Sequence, residues 1–176
     1  MILLKDGLPG VSRSGVFLMG ALLCLNTVCV RADEKSDTKA IKGVYETHTK
    51  AFRNKDAKAI FAGMTPDCKF VDKGNPYGLA QLKFAYSQQA PRIQVIKEYR
   101  EDLSEFHIQG KKATVKVHTT FLGKVADPQG RVHDIEQTGG SIDTLVKTSA
   151  GAWKLKQSDI QFERALMDGK LVGGSR

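Results

Sequence analysis

The stretch AFRNKDAKAIFAGMTPDCKFVD, residues 51–72, carries the passage from helix to strand on which the fold turns. Ala51 and Phe52 close a helical face that begins at Thr38. Ile41, Val44, Tyr45, His48, Ala51 and Phe52 recur at three and four, the spacing that keeps side chains on one side of a helix. Asp37 or Thr38 supplies the cap. Asn54-Lys55-Asp56 breaks that helix and opens a short second one, with Ala59, Ile60 and Met64 facing inward. Pro66 ends it, because the residue before a proline is driven out of the helical region. Cys68-Lys69-Phe70-Val71-Asp72 then alternates as a strand does, and Lys73-Gly74-Asn75-Pro76 is a turn cluster.

Downstream of this stretch, Gly78 to Ala90 reads as a third helix with Leu79, Leu82 and Tyr86 on one side, stopped by Pro91. Beyond it the period changes to two. Four long strands follow, 93–107, 111–125, 131–148 and 152–166, joined at Gln109-Gly110-Lys111, Asp127-Pro128-Gln129-Gly130 and Ser149-Ala150-Gly151. Each joint holds a glycine where a hairpin needs a left-handed residue. Strands of this length exceed the usual five or six residues, so the sheet must bend, and Gly139-Gly140 is the expected bulge. On 111–125, Val115, Val117, Thr119 and Phe121 share one face and Lys116, His118 and Thr120 the other, as in a sheet with one wet side. Helices first and a bent antiparallel meander after them define an α+β architecture, with N-terminal helices packed in a strongly bent sheet and a cone-like pocket between the layers.

Upstream, Lys5 and Arg13 precede Val16 to Leu25 (VFLMGALLCL), and the apolar run continues to Val30-Arg31-Ala32. That is a secretory signal pattern, with cleavage expected after Ala32. Gly15 to Val30 is shorter than the roughly 18 apolar residues of a spanning helix and contains Asn26 and Thr27, although an uncleaved anchor is the competing reading. The expected organisation is therefore a signal peptide over 1–32, a flexible leader over 33–37, one domain over 38–168 and a disordered tail over 169–176. The protein is expected to be exported, either periplasmic or secreted, with no membrane span once the signal is removed. Of three cysteines, Cys24 and Cys29 leave with the signal, so Cys68 remains alone and no internal disulfide forms.

The composition of the 176 residues, 41% hydrophobic and 26% charged, is that of a globular domain. The net charge of +8 falls to +6 when Lys5, Arg13, Arg31 and Asp6 are removed. Basic and acidic residues are interleaved, as in Lys97-Glu98-Tyr99-Arg100-Glu101-Asp102, which describes a solvated surface and argues against a nucleic-acid partner. The charge can still draw an acidic ligand or an anionic membrane toward the protein. His48, His107, His118 and His133 show no ligand spacing, so no metal is expected. Nucleotide-binding loops and a G-x-S-x-G elbow are missing too, and no cofactor is expected.

The order of helix, short helix ending in TPDCKFVD, turn, helix and four long strands resembles the nuclear transport factor 2-like superfamily, the SnoaL-like and ketosteroid-isomerase-like cone folds, over about 38–166. Ketosteroid isomerases give the sharper comparison, with an Asp base and an oxyanion hole of Tyr and protonated Asp. Asp72 ends its strand as that family's base does. His48, 24 positions earlier, stands where the resemblance places the oxyanion-binding Tyr, and Ile142-Asp143 looks like the isoleucine and protonated aspartate. The resemblance thus implies Asp72, His48 and Asp143 as candidate catalytic residues. It also implies pairing of two subunits as a homodimer through the outer sheet face, which the polar face of 111–125 weakens.

Each of the three residues has a plainer reading beside this one. Asp72 precedes Lys73-Gly74 and opens a turn. His48 lies on an apolar helix face and packs there, and Asp143 meets water if Ile142 is the buried member of its strand. Tyr45, Phe52, Phe70, Tyr86, Val117, Phe121 and Ile160 are read as pocket lining or core. Two functions stand open: an exported domain binding a small, mostly apolar or carbonyl-bearing molecule or a partner, and a cofactor-free acid–base enzyme (isomerase, cyclase or hydratase-like) acting on a carbonyl compound.

Overall fold

The computed structural model describes residues 19–175, and the chain divides into two units, Met1–Lys35 and Ser36–Arg176. The signal segment expected over 1–32 lies outside the described residues up to position 18. Helix α1 spans Met19–Arg53. No helix among the described residues is long and apolar enough to cross a membrane. The leader expected to be flexible over 33–37 is helical instead. In the second unit Asp37 is buried, and its Oδ1 accepts from Trp153 Nε1 at 3.0 Å and Lys147 Nζ at 2.6 Å. A polar tether of this kind leaves no trace in apolar periodicity.

Asp56 caps α2 (Ala57–Ala62) by accepting from the Ala59 N–H at 3.0 Å. The helix stops at Gly63, and Pro66, expected as its terminator, lies in β1 (Met64–Asp72). It falls where the pairing with the neighbouring strand is interrupted, between Met64 and Lys69, so its missing N–H costs no ladder bond. A tight turn leads into β2 (Asn75–Gly78), then α3 (Leu79–Gln89) and a 3₁₀ turn at Ala90–Arg92.

The four long strands are β3 (Ile93–Gln109), β4 (Lys112–Ala126), β5 (Val132–Lys147) and β6 (Trp153–Met167), an antiparallel meander. The sheet order is β2-β1-β6-β5-β4-β3, with β1 parallel to β6. Its curvature has identifiable sources. Against β4, β3 slips register three times, between Ile93 and Val95, Ile96 and Glu98, and Ser104 and His107. The expected bulge near Gly139-Gly140 is displaced: register shifts between Gly140 and Ser141, and the extra residue is Gln161 on β6. Gly140 serves a different need, since a Cβ there would lie 2.3 Å from Phe162 Cε1.

The tail expected to be disordered is strand β7 (Lys170–Ser175), antiparallel to β6. β1 covers the β6 edge as far as Ile160, and β7 covers it from Glu163 onward. Backbone pairing to a free edge, not side-chain burial, orders this segment; Leu171 and Val172 stay exposed. The main core joins Ile41 and Tyr45 of α1 to Ala113, Val115, Val117, Leu145 and Trp153 of the sheet. Fully burying a side chain such as Ile41, Val115 or Leu145 contributes about 1.5–3 kcal/mol.

Candidate functional site

Between the helices and the inner sheet face lies a cavity of about 750 Å³. Its walls include the aromatic side chains of Phe52, Phe61, Phe70, Tyr77, Tyr86, Tyr99 and Phe121. Phe52 stacks on Tyr99 at 4.0 Å between centroids, and Tyr86 meets both Phe52 and Phe61 edge-on. Tyr45, Phe52, Phe70, Tyr86, Val117, Phe121 and Ile160 all line this space.

Gln89, Arg92, Thr119, Gln137 and Glu163 also line the cavity, and two hydrogen-bonded polar groups stand among its apolar side chains. The first is centred on Asp143, only 4% exposed, whereas Ile142 beside it is 42% exposed. Strand alternation therefore sends the carboxylate inward. Its Oδ2 accepts from Tyr45 Oη at 2.7 Å, and its Oδ1 from Ser158 Oγ at 2.6 Å and Ser141 Oγ at 2.8 Å. Burial raises the Asp143 pKa above the usual carboxylate range, and the three hydroxyl bonds offset that only in part. Tyr45 is pushed upward as well, by its own burial first and by the Asp143 charge second.

The second group is His48 with Glu101. His48 Nδ1 donates to Glu101 Oε1 at 2.9 Å and Oε2 at 3.0 Å, and Thr49 Oγ1 and Tyr99 Oη donate to the same carboxylate. Burial alone would lower the His48 pKa, but the hydrogen bond and charge of Glu101 outweigh it and raise the net value. Nε2 of this cavity-lining ring has no hydrogen-bond partner among the described residues. A carboxylate that fixes Nδ1–H leaves Nε2 able to accept or return a proton.

The structure brings His48 and Asp143 to one cavity, whereas Asp72 stands outside its lining, close enough for its charge to help raise the pKa of Tyr77 on the wall. Asp72 is half-buried at the end of β1, opposite Asn75 in the hairpin, and is not among the lining residues. The partner of Asp143 is Tyr45, three residues before His48 and so on the same helix face. Sequence reasoning missed Glu101, Ser141 and Ser158. Ser141 shares strand parity with Asp143, a signal that could have found it; Glu101 sits in a run of charges that reads as solvated. Among the described residues, no group of three or more His, Cys, Asp or Glu side chains is placed to hold a metal ion.

A curved, unclosed sheet curled around N-terminal helices, with an aromatic cavity between them, defines the class of α+β cone folds. The fold is that of the nuclear transport factor 2-like superfamily, as solved structures show. A conserved protein from Planctomyces limnophilus superposes with a TM-score of 0.60 and 24% identity, over 71% of this chain and 94% of that one. A nuclear transport factor 2-like protein of unknown function from Shewanella oneidensis gives a TM-score of 0.58 and 15% identity, over 70% and 98%. A ketosteroid isomerase-like protein from Erwinia carotovora gives a TM-score of 0.53 and 17% identity, over 77% and 95%. No protein-family model and no curated protein sequence matches the chain.

Proposed function

We propose that the cone cavity binds a small, mostly apolar molecule carrying one carbonyl or hydroxyl group, after export of the chain and cleavage behind Ala32. The observation that carries this reading is the pairing of an aromatic chamber of about 750 Å³ with hydrogen-bonding groups, Tyr45, His48 and Asp143, on its wall. Such a chamber desolvates the apolar body of a ligand while a few polar groups fix its orientation. Equilibrium binding of a fluorescent aromatic ketone tests it. Val117→Trp should abolish binding by filling the chamber, and Asp72→Asn should leave it unchanged. Equal binding by the Val117→Trp protein would remove the cavity as the site.

A second reading, acid–base catalysis on a carbonyl compound, is favoured by the His48–Glu101 pair. In this reading His48 Nε2 takes a carbon-bound proton, and Asp143 in its protonated form donates to Tyr45 Oη, which frees the Tyr45 O–H to donate to the developing enolate oxygen. His48→Gln should then lower kcat by at least about a hundredfold with little change in ligand Kd. Turnover unaffected by that change would leave binding as the function.

A further inference from the structure

We propose that the α2–α3 end of the molecule docks on an anionic membrane surface. This goes beyond the ligand reading above and does not depend on it. On the outside of the cone, α2 and α3 flank a second groove of about 840 Å³ whose apolar floor includes Phe61, Tyr86 and Pro91. Lys55, Lys58 and Lys83 rim it, and no carboxylate lines it.

The charge at this end is not neutralised by neighbouring carboxylates. Five lysines of the sheet are paired: Lys97 and Lys124 with Asp134, Lys116 with Glu105, Lys147 with Asp37 and Lys156 with Asp67. Among the described residues, Lys55, Lys58 and Lys83 make no ion pair. Lys55 instead donates to the Ile93 carbonyl, and Lys83 Nζ lies 5.6 Å from the Phe61 ring centroid. The nearby acid, Asp56, is engaged in capping α2, and the sequence from Lys73 to Lys97 contains no Asp or Glu.

Beside these cations stands an apolar side chain in water. Phe84 on α3 is 69% exposed, and α3 has no fully buried residue. Phe84 is outside the groove lining, so a peptide lying in the groove would leave it bare. A flat surface laid on α3 meets Phe84 and Lys83 together. That combination of an inserting aromatic and flanking lysines matches the interfacial zone of an anionic bilayer.

The experiment is co-sedimentation of the full chain with phosphatidylcholine vesicles and with equimolar phosphatidylglycerol–phosphatidylcholine vesicles. The readout is the ratio between the two, which cancels charge-independent association through the apolar run 16–25. Binding should favour the anionic vesicles and weaken as salt is raised. Lys58→Gln with Lys83→Gln should lower the anionic partition about 30-fold, at about fivefold per lysine, and Phe84→Ser about tenfold. Lys116→Gln with Lys124→Gln, on the ion-paired sheet, should change it little. An anionic preference that survives the Lys58, Lys83 and Phe84 changes, or no preference at all, overturns the proposal. Retention on immobilised polyglutamate without vesicle binding would overturn it in favour of an acidic peptide partner.

Discussion

Asp143 and His48 hold protons more tightly in the folded chain than free side chains do, and the sign of that effect is testable. The folded pKa of His48 lies above 6.5, so its contribution to stability is fully present below 6.5 and is lost as pH rises through the folded value. Asp143 is raised above 3.8 by burial, so stability falls as pH climbs from 3.8 to its folded value. Both groups make the folded state bind more protons than the unfolded one, which gives stability a negative slope with pH. Half-buried His133, hydrogen-bonded to Asp168 and Asp127, adds to the same slope. Carboxylates held low by fold contacts, such as Asp134 and Asp168, act below 3.8 and leave this window flat. Urea midpoints should therefore decline from mildly acidic to neutral pH, and His48→Gln with Asp143→Asn should flatten the decline. An unchanged slope in the double variant would contradict the assignment. At this scale the sequence reached Asp143 and His48 through a resemblance. It missed Glu101 because a carboxylate between Arg100 and Asp102 reads as surface until the strand's inward parity is known.

At the scale of elements, two glycines separate a backbone constraint from a side-chain one. At Gly123 a Cβ would lie 2.3 Å from the Val95 carbonyl oxygen, where β3 slips past β4. At Gly140 the obstacle is the Phe162 ring, which can turn away. Gly123→Ala should cost about 3 kcal/mol by chemical denaturation, and Gly140→Ala about 1–2 kcal/mol. Phe162→Leu should recover most of the second loss and none of the first, as a double-mutant cycle would show. The long strands were legible because alternation and hairpin glycines mark them locally. β7 and the parallel β1–β6 pairing were not, because both are decided by which edge of β6 remains free, a property of the assembled sheet.

At the scale of the whole molecule, Cys68 reports on the integrity of the cone. It is buried among Ala51, Ile60 and Met64, and burial pushes its thiol up to about 11. In a chain with Cys24 and Cys29 changed to Ser, a thiol reagent at pH 8 should react with Cys68 only as fast as the domain opens. The rate should rise in parallel with loss of tryptophan signal from buried Trp153 across a urea series. Fast labelling under native conditions would mean that the α2–β1 corner opens by itself.

The register slips that curve β3 also shape the edge it presents to other molecules. β3 is the outermost strand on its side of the sheet and is 17 residues long, a length at which a flat edge would template strands from other chains. Its slips break the even spacing of free N–H and C=O groups, and Arg100, paired with Glu98 and Asp102, places charge along it. The irregularity that bends the sheet thus also makes its edge a poor template for growth from molecule to molecule.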